Sequence, residues 1–192
     1  MKNYFFRLLI IAIAAAGILT MPSCTDPCSN VDCGINGVCI EGDCVCDAGY
    51  DGTECNIIIR SVFTGLYDVE EICDSDPDYL DLYESSINDS PVGAEFITIS
   101  NIYNFEAQGV SPDEASVLAS VSNIGGEYSL LIEDQIITVA NDLGTTDVEV
   151  SGTGSYDSAT SFVTLEYSIT NLDLDPLDSL YIDNCVQAYY PQ

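Results

Sequence analysis

Residues 28–55 read CSNVDCGINGVCIEGDCVCDAGYDGTEC and hold six of the nine cysteines of a 192-residue chain. So short a segment cannot bury enough apolar surface to fold around a core of its own, so covalent cross-links must replace that core. Clustered cysteines also bind zinc, but zinc sites favour C-x2-C pairs and histidine, and this stretch has neither. The composition therefore predicts disulfides, although the spacing by itself leaves their connectivity open.

The end of this stretch carries the motif C-x-C-x-x-G-Y-x-G-x-x-C, formed by Cys44, Cys46, Gly49, Tyr50, Gly52 and Cys55. With this motif and its cysteine spacing, residues 28–55 resemble an EGF-like module. The resemblance implies an oxidising compartment and a role as a spacer or contact surface rather than a reaction. It also implies a specific set of disulfides, namely Cys28–Cys39, Cys33–Cys44 and Cys46–Cys55.

The chain begins MKNYFFRLLIIAIAAAGILTMPSC, with Lys2 and Arg7 ahead of an apolar run over residues 8–19. That run is too short for a bilayer span, which needs about 20 residues, and it is typical of a signal-peptide core. Because small and turn-forming residues precede Cys24, the segment resembles a bacterial lipoprotein signal. The resemblance implies that residues 1–23 are removed, that Cys24 carries lipid, and that residues 24–27 form a short tether.

The odd number of cysteines also favours lipid attachment at Cys24. The module uses six cysteines, and Cys73 and Cys185 can form one further pair, which leaves Cys24 over. An odd cysteine in a secreted protein needs an explanation, and lipid attachment supplies one. The alternative is an ordinary secretory signal that leaves Cys24 as a plain thiol. We therefore predict a Cys73–Cys185 disulfide and lipid on Cys24.

The composition is strongly acidic, with 32 Asp and Glu against 3 Lys and Arg, no His, and a formal net charge of −29. Removal of residues 1–23 would leave Arg60 as the only Lys or Arg. Such a chain cannot neutralise phosphates, which excludes nucleic acid as a partner. It is equally unsuited to anionic headgroups, so the expected contact with a membrane is the N-terminal lipid.

We assign residues 56–192 to a second domain, because about 130 residues suffice for a core. Apolar and polar residues alternate there in short segments separated by turns. A turn is predicted at Glu133-Asp134, and residues 79–87 also suit a short helix. The series predicts an antiparallel all-β domain, a barrel or a sandwich. Its predicted strands cover residues 63–73, 79–87, 95–102, 116–121, 127–132, 135–140, 147–156, 161–170 and 180–190.

Fragments of this second domain resemble small lipocalin-like barrels in lipoproteins of Bacteroidota. They are GLYDVEEIC at residues 65–73, GTGSY at residues 152–156, and the final Cys185 followed by tyrosines. The resemblance implies a closed lipocalin-like barrel, with a β-sandwich as the alternative. In a closed barrel the first and last strands are neighbours, which is where Cys73 and Cys185 can pair.

Most catalytic chemistry is missing from the sequence. Without His, neither a Ser-His-Asp nor a Cys-His nucleophile system is possible, and without Lys beyond residue 23 there is no Schiff base. No GxSxG, GxGxxG or HExxH motif occurs. Carboxylate-pair chemistry of the glycosidase kind stays open, but 32 acidic residues form close pairs by chance. We therefore predict that the protein is not an enzyme.

No cofactor is expected, with calcium as the alternative. Alternating carboxylates can reach one hard cation, and the segment DSDPD supplies Asp74, Asp76 and Asp78. The EF-hand pattern fails there, because Tyr79 stands where that loop needs Gly. Calcium-binding EGF modules carry acidic or amide residues close to their first and third cysteines, where this chain has Asp26 and Glu41.

These observations predict a lipid-anchored protein of the cell envelope, on the periplasmic or the cell-surface side of the outer membrane. Its role is expected to be binding, adhesion or structure, toward a protein, a glycan or a small apolar ligand. A ligand-carrying barrel is the alternative, in which some of the ten tyrosines beyond the module line a cavity. A glycosidase is the weakest of the three hypotheses.

Overall fold

The computed structural model describes residues 26–141, 144–174 and 182–192. The predicted signal peptide and Cys24 lie outside these ranges. Within them, no helix has the length and hydrophobicity needed to cross a membrane. The helical segments there are two short 3₁₀ stretches, Ile59–Val62 and Ile102–Gln108.

The N-terminal module consists of two small antiparallel ribbons, β1 (Gly37–Ile40) with β2 (Asp43–Cys46) and β3 (Tyr50–Asp51) with β4 (Ile57–Ile58). Glu41 and Gly42 form the turn between β1 and β2, both with positive φ, as a two-residue hairpin loop of this type requires. These strands bury little, so cross-links hold the module together. Disulfides join Cys28 to Cys39, Cys33 to Cys44 and Cys46 to Cys55, the pairs that the EGF-like resemblance implies.

Eight antiparallel strands follow and close into a barrel. Each strand pairs with the next along the chain, and the last pairs with the first. The all-β prediction is confirmed, and the closed up-and-down order, which lipocalins share, decides against the sandwich. The strands are β5 (Gly65–Cys73), β6 (Asp81–Asp89), β7 (Phe96–Ile99), β8 (Val117–Ile124), β9 (Glu127–Asn141), β10 (Gly144–Asp157), β11 (Phe162–Asn171) and β12 (Ile182–Pro191).

Side chains alternate between the barrel interior and the outside, as barrel strands require. On β11, for example, the predicted face of Val163, Leu165, Tyr167 and Ile169 is the buried one. Apolar side chains from all eight strands form one continuous core. Because each fully buried aliphatic side chain contributes roughly 1.5–3 kcal/mol, this core is the main source of barrel stability.

The predicted turn at Glu133-Asp134 is wrong, because β9 runs through it without interruption. A β-bulge lies there instead: Val150 of β10 pairs with Gln135, and Gly152 pairs with Ile132, so β9 has one extra residue between them. A bulge bends a strand without reversing it, and the two acidic residues stay exposed on its outer side. The polar pair therefore marks a bend in the barrel wall.

The bulge also changes how β9 meets β8. Backbone pairing between the two strands ends at Ser120 and Leu131. Beyond that point the side chain of Gln135 takes over, because its Nε2 donates to the Leu118 carbonyl at 2.8 Å and its Oε1 accepts from the Leu118 N–H at 2.9 Å. The side-chain amide of Gln135 thus replaces the backbone hydrogen bonds that β9 would otherwise make to Leu118.

One end of the barrel is covered by the module, and we call it the module end. The Ile59 N–H donates to the Gly49 carbonyl at 2.9 Å, and Asn123 Nδ2 donates to the Asp51 carboxylate. Arg60 donates to the carbonyls of Ser90 and Gly93 in the β6–β7 connection, at 3.0 and 2.8 Å. The module is therefore packed against this end of the barrel.

The other end, which we call the mouth, carries the longest connections. Residues 74–80 link β5 to β6, and residues 100–116 link β7 to β8. The second of these contains the 3₁₀ segment Ile102–Gln108, in which Ile102 and Phe105 are buried. Longer loops at one end of a rigid barrel are where binding residues are usually found.

Candidate ligand site at the barrel mouth

The 3₁₀ segment Ile102–Gln108 crosses the mouth, and its conformation depends on Asn101. This buried residue has φ of 52°, a left-handed conformation that Asn tolerates better than most residues. Its Nδ2 donates to the Glu84 carbonyl at 3.0 Å, and its Oδ1 accepts from the Glu106 N–H at 2.9 Å. These bonds turn the chain inward over the barrel axis.

The crossing is completed by Tyr103. Its hydroxyl donates to Oδ2 of Asp183 on β12 at 2.8 Å. The connection that carries Tyr103 runs from β7 to β8, and β12 lies three strands from β7 and four from β8 around the closed barrel. The bond therefore links two separate parts of the barrel wall across the opening, and Tyr103 lines a cavity on either side.

The first cavity has a volume of about 290 Å³, and six of its eleven lining residues are apolar. Its walls come from the inward faces of β9, β10 and β11 and from the crossing segment. Polar groups stand among the apolar ones, which is the usual make-up of a small-molecule site. The lining residues are Phe105, Val110, Val139, Val148, Ile169 and Leu174, together with Tyr103, Gln108, Thr146, Asn171 and Asp183.

The second cavity lies on the other side of Tyr103 and measures about 310 Å³. Three acidic residues line it, Glu71, Asp76 and Asp81, against one in the first cavity. Asn104 Nδ2 donates to Asp81 at 2.7 Å along its wall. Its lining residues are Glu71, Cys73, Ser75, Asp76, Tyr79, Asp81, Tyr103, Asn104, Ala107 and Gln108.

Asp183 is the charged residue of the first cavity, and it is 4% exposed. Its Oδ1 accepts from the Ser75 N–H at 2.9 Å, and its Oδ2 accepts from the Ser75 hydroxyl at 2.6 Å in addition to Tyr103. Burial and this carboxylate raise the pKa of Tyr103, so its hydroxyl remains a donor. The carboxylate is thus fixed in place by three hydrogen bonds.

Below the mouth, the barrel interior contains a buried polar network of Glu71, Tyr83, Tyr167, Gln187 and Tyr189. The Tyr167 hydroxyl and Gln187 Nε2 both donate to Oε1 of Glu71, the latter at 2.6 Å. Gln187 Nε2 also donates to the Tyr83 hydroxyl at 2.5 Å, and its Oε1 accepts from Tyr189 at 2.5 Å. The amide of Gln187 therefore joins Glu71 to two tyrosines.

Burial governs the ionisation of this network. It raises the pKa of Glu71, although hydrogen bonds from Tyr167 and Gln187 oppose the change. Burial, reinforced by the Glu71 charge, raises the pKa values of Tyr83, Tyr167 and Tyr189 as well. The three tyrosines therefore stay protonated, and the network rigidifies the interior beneath the two cavities.

The calcium candidates are distributed over both parts of the protein. Asp26 accepts from the Cys28 N–H at 2.9 Å, and Glu41 lies in the module turn. Asp74, which accepts from Asn184 at 3.0 Å, shares the β5–β6 connection with the exposed Asp76 and Asp78. Across the described ranges, one group brings three potential ligand atoms together: Glu71, Cys73 and Cys185. The two sulfurs of that group form a disulfide, which leaves no thiolate to bind a metal.

The sequence analysis missed Glu71, Asp183 and Gln187. A usable signal was present, because Glu71 has the same parity on β5 as the buried Tyr67 and Val69. Asp183 and Gln187 likewise share the parity of Cys185 and Tyr189 on β12. A polar residue on an otherwise apolar face of a strand is a reason to expect a buried polar site.

Residues 28–58 match the family model of the teneurin-like EGF domain. The match covers the disulfide-linked module together with β4 and identifies this segment as EGF-like. No curated protein and no solved structure matches the chain. The EGF-like module and the eight-stranded barrel together fit a binding or structural role.

Proposed function

We propose that this protein is a lipid-anchored, non-catalytic binding protein of the cell envelope whose barrel mouth takes a small ligand. The observation that carries the proposal is the cavity of about 290 Å³ beneath the crossing segment. Mouths of β-barrels are recurrent ligand sites, and the volume is near the lower limit for such pockets. The ligand would therefore be small.

The packing of the barrel favours the mouth over the centre. Further down, the interior is filled by the buried polar network and by apolar side chains such as Ile87, Ile97 and Ile99. The cavity lies above them, with Val139, Val148 and Ile169 at its walls. A ligand held there would contact apolar side chains on several sides and Asp183 at one point.

The EGF-like module supports a location outside the cytoplasm, because disulfides form and persist in oxidising compartments. Four disulfides are present in the described ranges. Cys24 is then the ninth cysteine, and lipid attachment accounts for it. In this arrangement the module stands between the membrane and the barrel and leaves the mouth at the far end.

A binding role also agrees with the chemistry available. The chain has no His, and Arg60 is the one Lys or Arg in the described ranges and lies at the module end. The carboxylates of Glu71 and Asp183 accept hydrogen bonds from neighbouring side chains, which suits a structural or recognition role. The proposal therefore assigns no catalytic residue.

The cavity is tested with a neutral fluorescent probe, N-phenyl-1-naphthylamine. We expect saturable single-site binding to the native protein. Val139→Phe, which fills the cavity, should weaken binding about tenfold or more, a loss of about 1.4 kcal/mol. Val186→Phe, on the exposed outer face of β12, is the matched control and should bind as the native protein does. Absence of saturable binding, or equal binding by folded Val139→Phe, would contradict the proposal.

The anchor is tested separately in cells. Cys24→Ser should move the protein from the membrane fraction to the soluble fraction and abolish incorporation of labelled fatty acid. Thr25→Ser, a neighbouring change that keeps the cysteine, should leave both unchanged. A Cys24→Ser variant that remains in the membrane fraction, with no lipid on the native chain, would remove the anchor from the proposal.

A further inference from the structure

The charge around the mouth is of one sign. Acidic side chains lie on every connection described at that end, and Arg60, the one Lys or Arg in the described ranges, is bound to the β6–β7 connection at the opposite end. The acidic residues at the mouth, which we call the rim, include Asp76, Asp81, Asp113, Glu114, Asp147 and Asp173. A rim of one sign raises the local concentration of ligands of the opposite charge.

Within the first cavity, Asp183 has hydrogen-bonding capacity to spare. A carboxylate offers about four acceptor positions. In the described part of the chain, three are used, by the N–H and hydroxyl of Ser75 and by Tyr103. A donor group on a ligand could take the remaining one, in a site where low polarity strengthens the bond.

From this geometry we infer that the ligand is a small organic cation, a protonated amine on an apolar body, with the amine at Asp183 and the body against Phe105, Val148 and Ile169. The inference rests on the proposed function and specifies the ligand class for the same cavity. The rings of Tyr103 and Phe105, with centroids 5.4 Å apart, also line the cavity, and aromatic faces attract cations.

Other ligand classes fit the cavity less well. An anion would lie beside the Asp183 carboxylate with no cationic side chain of the described ranges to compensate it, and an unpaired buried charge is strongly unfavourable. A calcium ion needs six to eight oxygen ligands, whereas six of the eleven lining residues are apolar. An apolar molecule without a donor would leave the fourth acceptor position of Asp183 unused.

The test compares three probes of equal chain length, octylamine, 1-octanol and octanoate, in competition with N-phenyl-1-naphthylamine at neutral pH. We expect the amine to bind about tenfold or more tightly than the alcohol, which corresponds to about 1.4 kcal/mol, and the carboxylate to bind least. The preference for the amine should weaken as salt is added, because part of it is electrostatic attraction by the rim.

Asp183→Asn should reduce the ratio of amine to alcohol affinity to near one, and circular dichroism checks that the variant is folded. Glu127→Gln likewise removes one carboxylate charge, from an exposed residue at the start of β9 at the module end, away from the rim, and should keep the ratio. The order of the three probes on the native protein tests the inference even if Asp183→Asn does not fold. If the fluorescent probe binds but the amine has no advantage, the ligand class is wrong and the proposed function stands. If the fluorescent probe does not bind, the proposed function fails as well.

Discussion

Cys73 and Cys185 lie directly opposite each other on β5 and β12, with their Cα atoms 4.1 Å apart, and are joined by a disulfide. The bond connects the first and last strands of the barrel across the seam where the sheet closes. The two residues are 112 positions apart in sequence, so the cross-link encloses almost the whole barrel in one covalent loop. Closure by hydrogen bonds and closure by a covalent bond therefore occur at the same place.

Removal of this bond should lower stability more than any change in local packing there. A loop of about 100 residues corresponds to about 4.7 kcal/mol in the chain-entropy treatment, and 2–4 kcal/mol is typical. We expect Cys73→Ala with Cys185→Ala to lower the free energy of urea unfolding by about 2–4 kcal/mol. The matched control is Ile72→Ala with Val186→Ala, the adjacent and exposed pair in the same register. Equal losses in the two double variants would show that the covalent loop contributes nothing.

The contact between module and barrel is tested at Gly49. A Cβ at Gly49 would lie 2.4 Å from the Ala94 carbonyl carbon, a backbone atom that cannot move aside freely. Gly109 has the same φ of +83°, but nothing lies within 4 Å of its Cβ position. Both changes to Ala carry the strain of a left-handed residue, roughly 1–2 kcal/mol.

The difference between Gly49→Ala and Gly109→Ala therefore measures the close approach of the module to the β6–β7 connection. We expect Gly49→Ala to be less stable than Gly109→Ala by about 1–3 kcal/mol in thermal or urea unfolding. Hydrogen exchange of residues 90–95 should also quicken in Gly49→Ala alone. Equal stability and exchange in the two variants would mean that the module does not pack there.

The Gln135 side chain should be needed for pairing between β8 and β9 at the bulge. Gln135→Ala leaves the N–H and the carbonyl of Leu118 without their partner, which we expect to reduce the free energy of unfolding by about 1–3 kcal/mol. Ile136→Ala, at a neighbouring residue that is 61% exposed, is the control and should change stability by less than about 1 kcal/mol. Faster amide exchange at Leu118 in the first variant alone would confirm the site of the effect. Unchanged exchange at Leu118 would count against the assigned role of Gln135.

Glu71 should make the barrel less stable as pH rises. Because burial raises its folded-state pKa above the ordinary value of 4.5, the folded protein holds this proton more tightly than the unfolded chain does. The resulting contribution is fully present below about pH 4.5 and is lost as the pH rises through the folded-state pKa, with a slope of at most about 1.4 kcal/mol per pH unit.

Glu71→Gln removes that titration and keeps a carbonyl acceptor for Tyr167 and Gln187. The difference in unfolding free energy, variant minus native, should therefore grow as pH rises from about 4.5 toward neutrality. Using the difference cancels the contributions of carboxylates that do not interact with Glu71. Urea unfolding at several pH values measures this difference in free energy. A difference independent of pH would show that the pKa of Glu71 is the same in the folded and the unfolded protein.

The module was predictable in detail because its structure depends on local chemistry. Cysteine spacing and the Gly49-Tyr50 motif are read from a few adjacent residues, and the disulfides inside the module follow the family pattern. The all-β class was predictable for a similar reason, since a two-residue period is visible within a single strand. The misplaced turn at Glu133-Asp134 shows the limit of that signal, because an acidic pair suits an exposed bulge as well as a turn.

The mouth could be recognised only once the barrel had closed. Parity alone shows that Glu71, Asp183 and Gln187 share a face with apolar neighbours, but not that these faces meet inside one interior. The Tyr103–Asp183 bond joins residues 80 positions apart, and their proximity follows from the number of strands and the path of one connection. From composition by itself we predict neither a nucleic-acid partner nor catalysis, because most such functions need basic residues or histidine, and the sequence has three of the first and none of the second. The proposed binding site depends on distances across the barrel, which arise from packing of all eight strands and are encoded in no single segment.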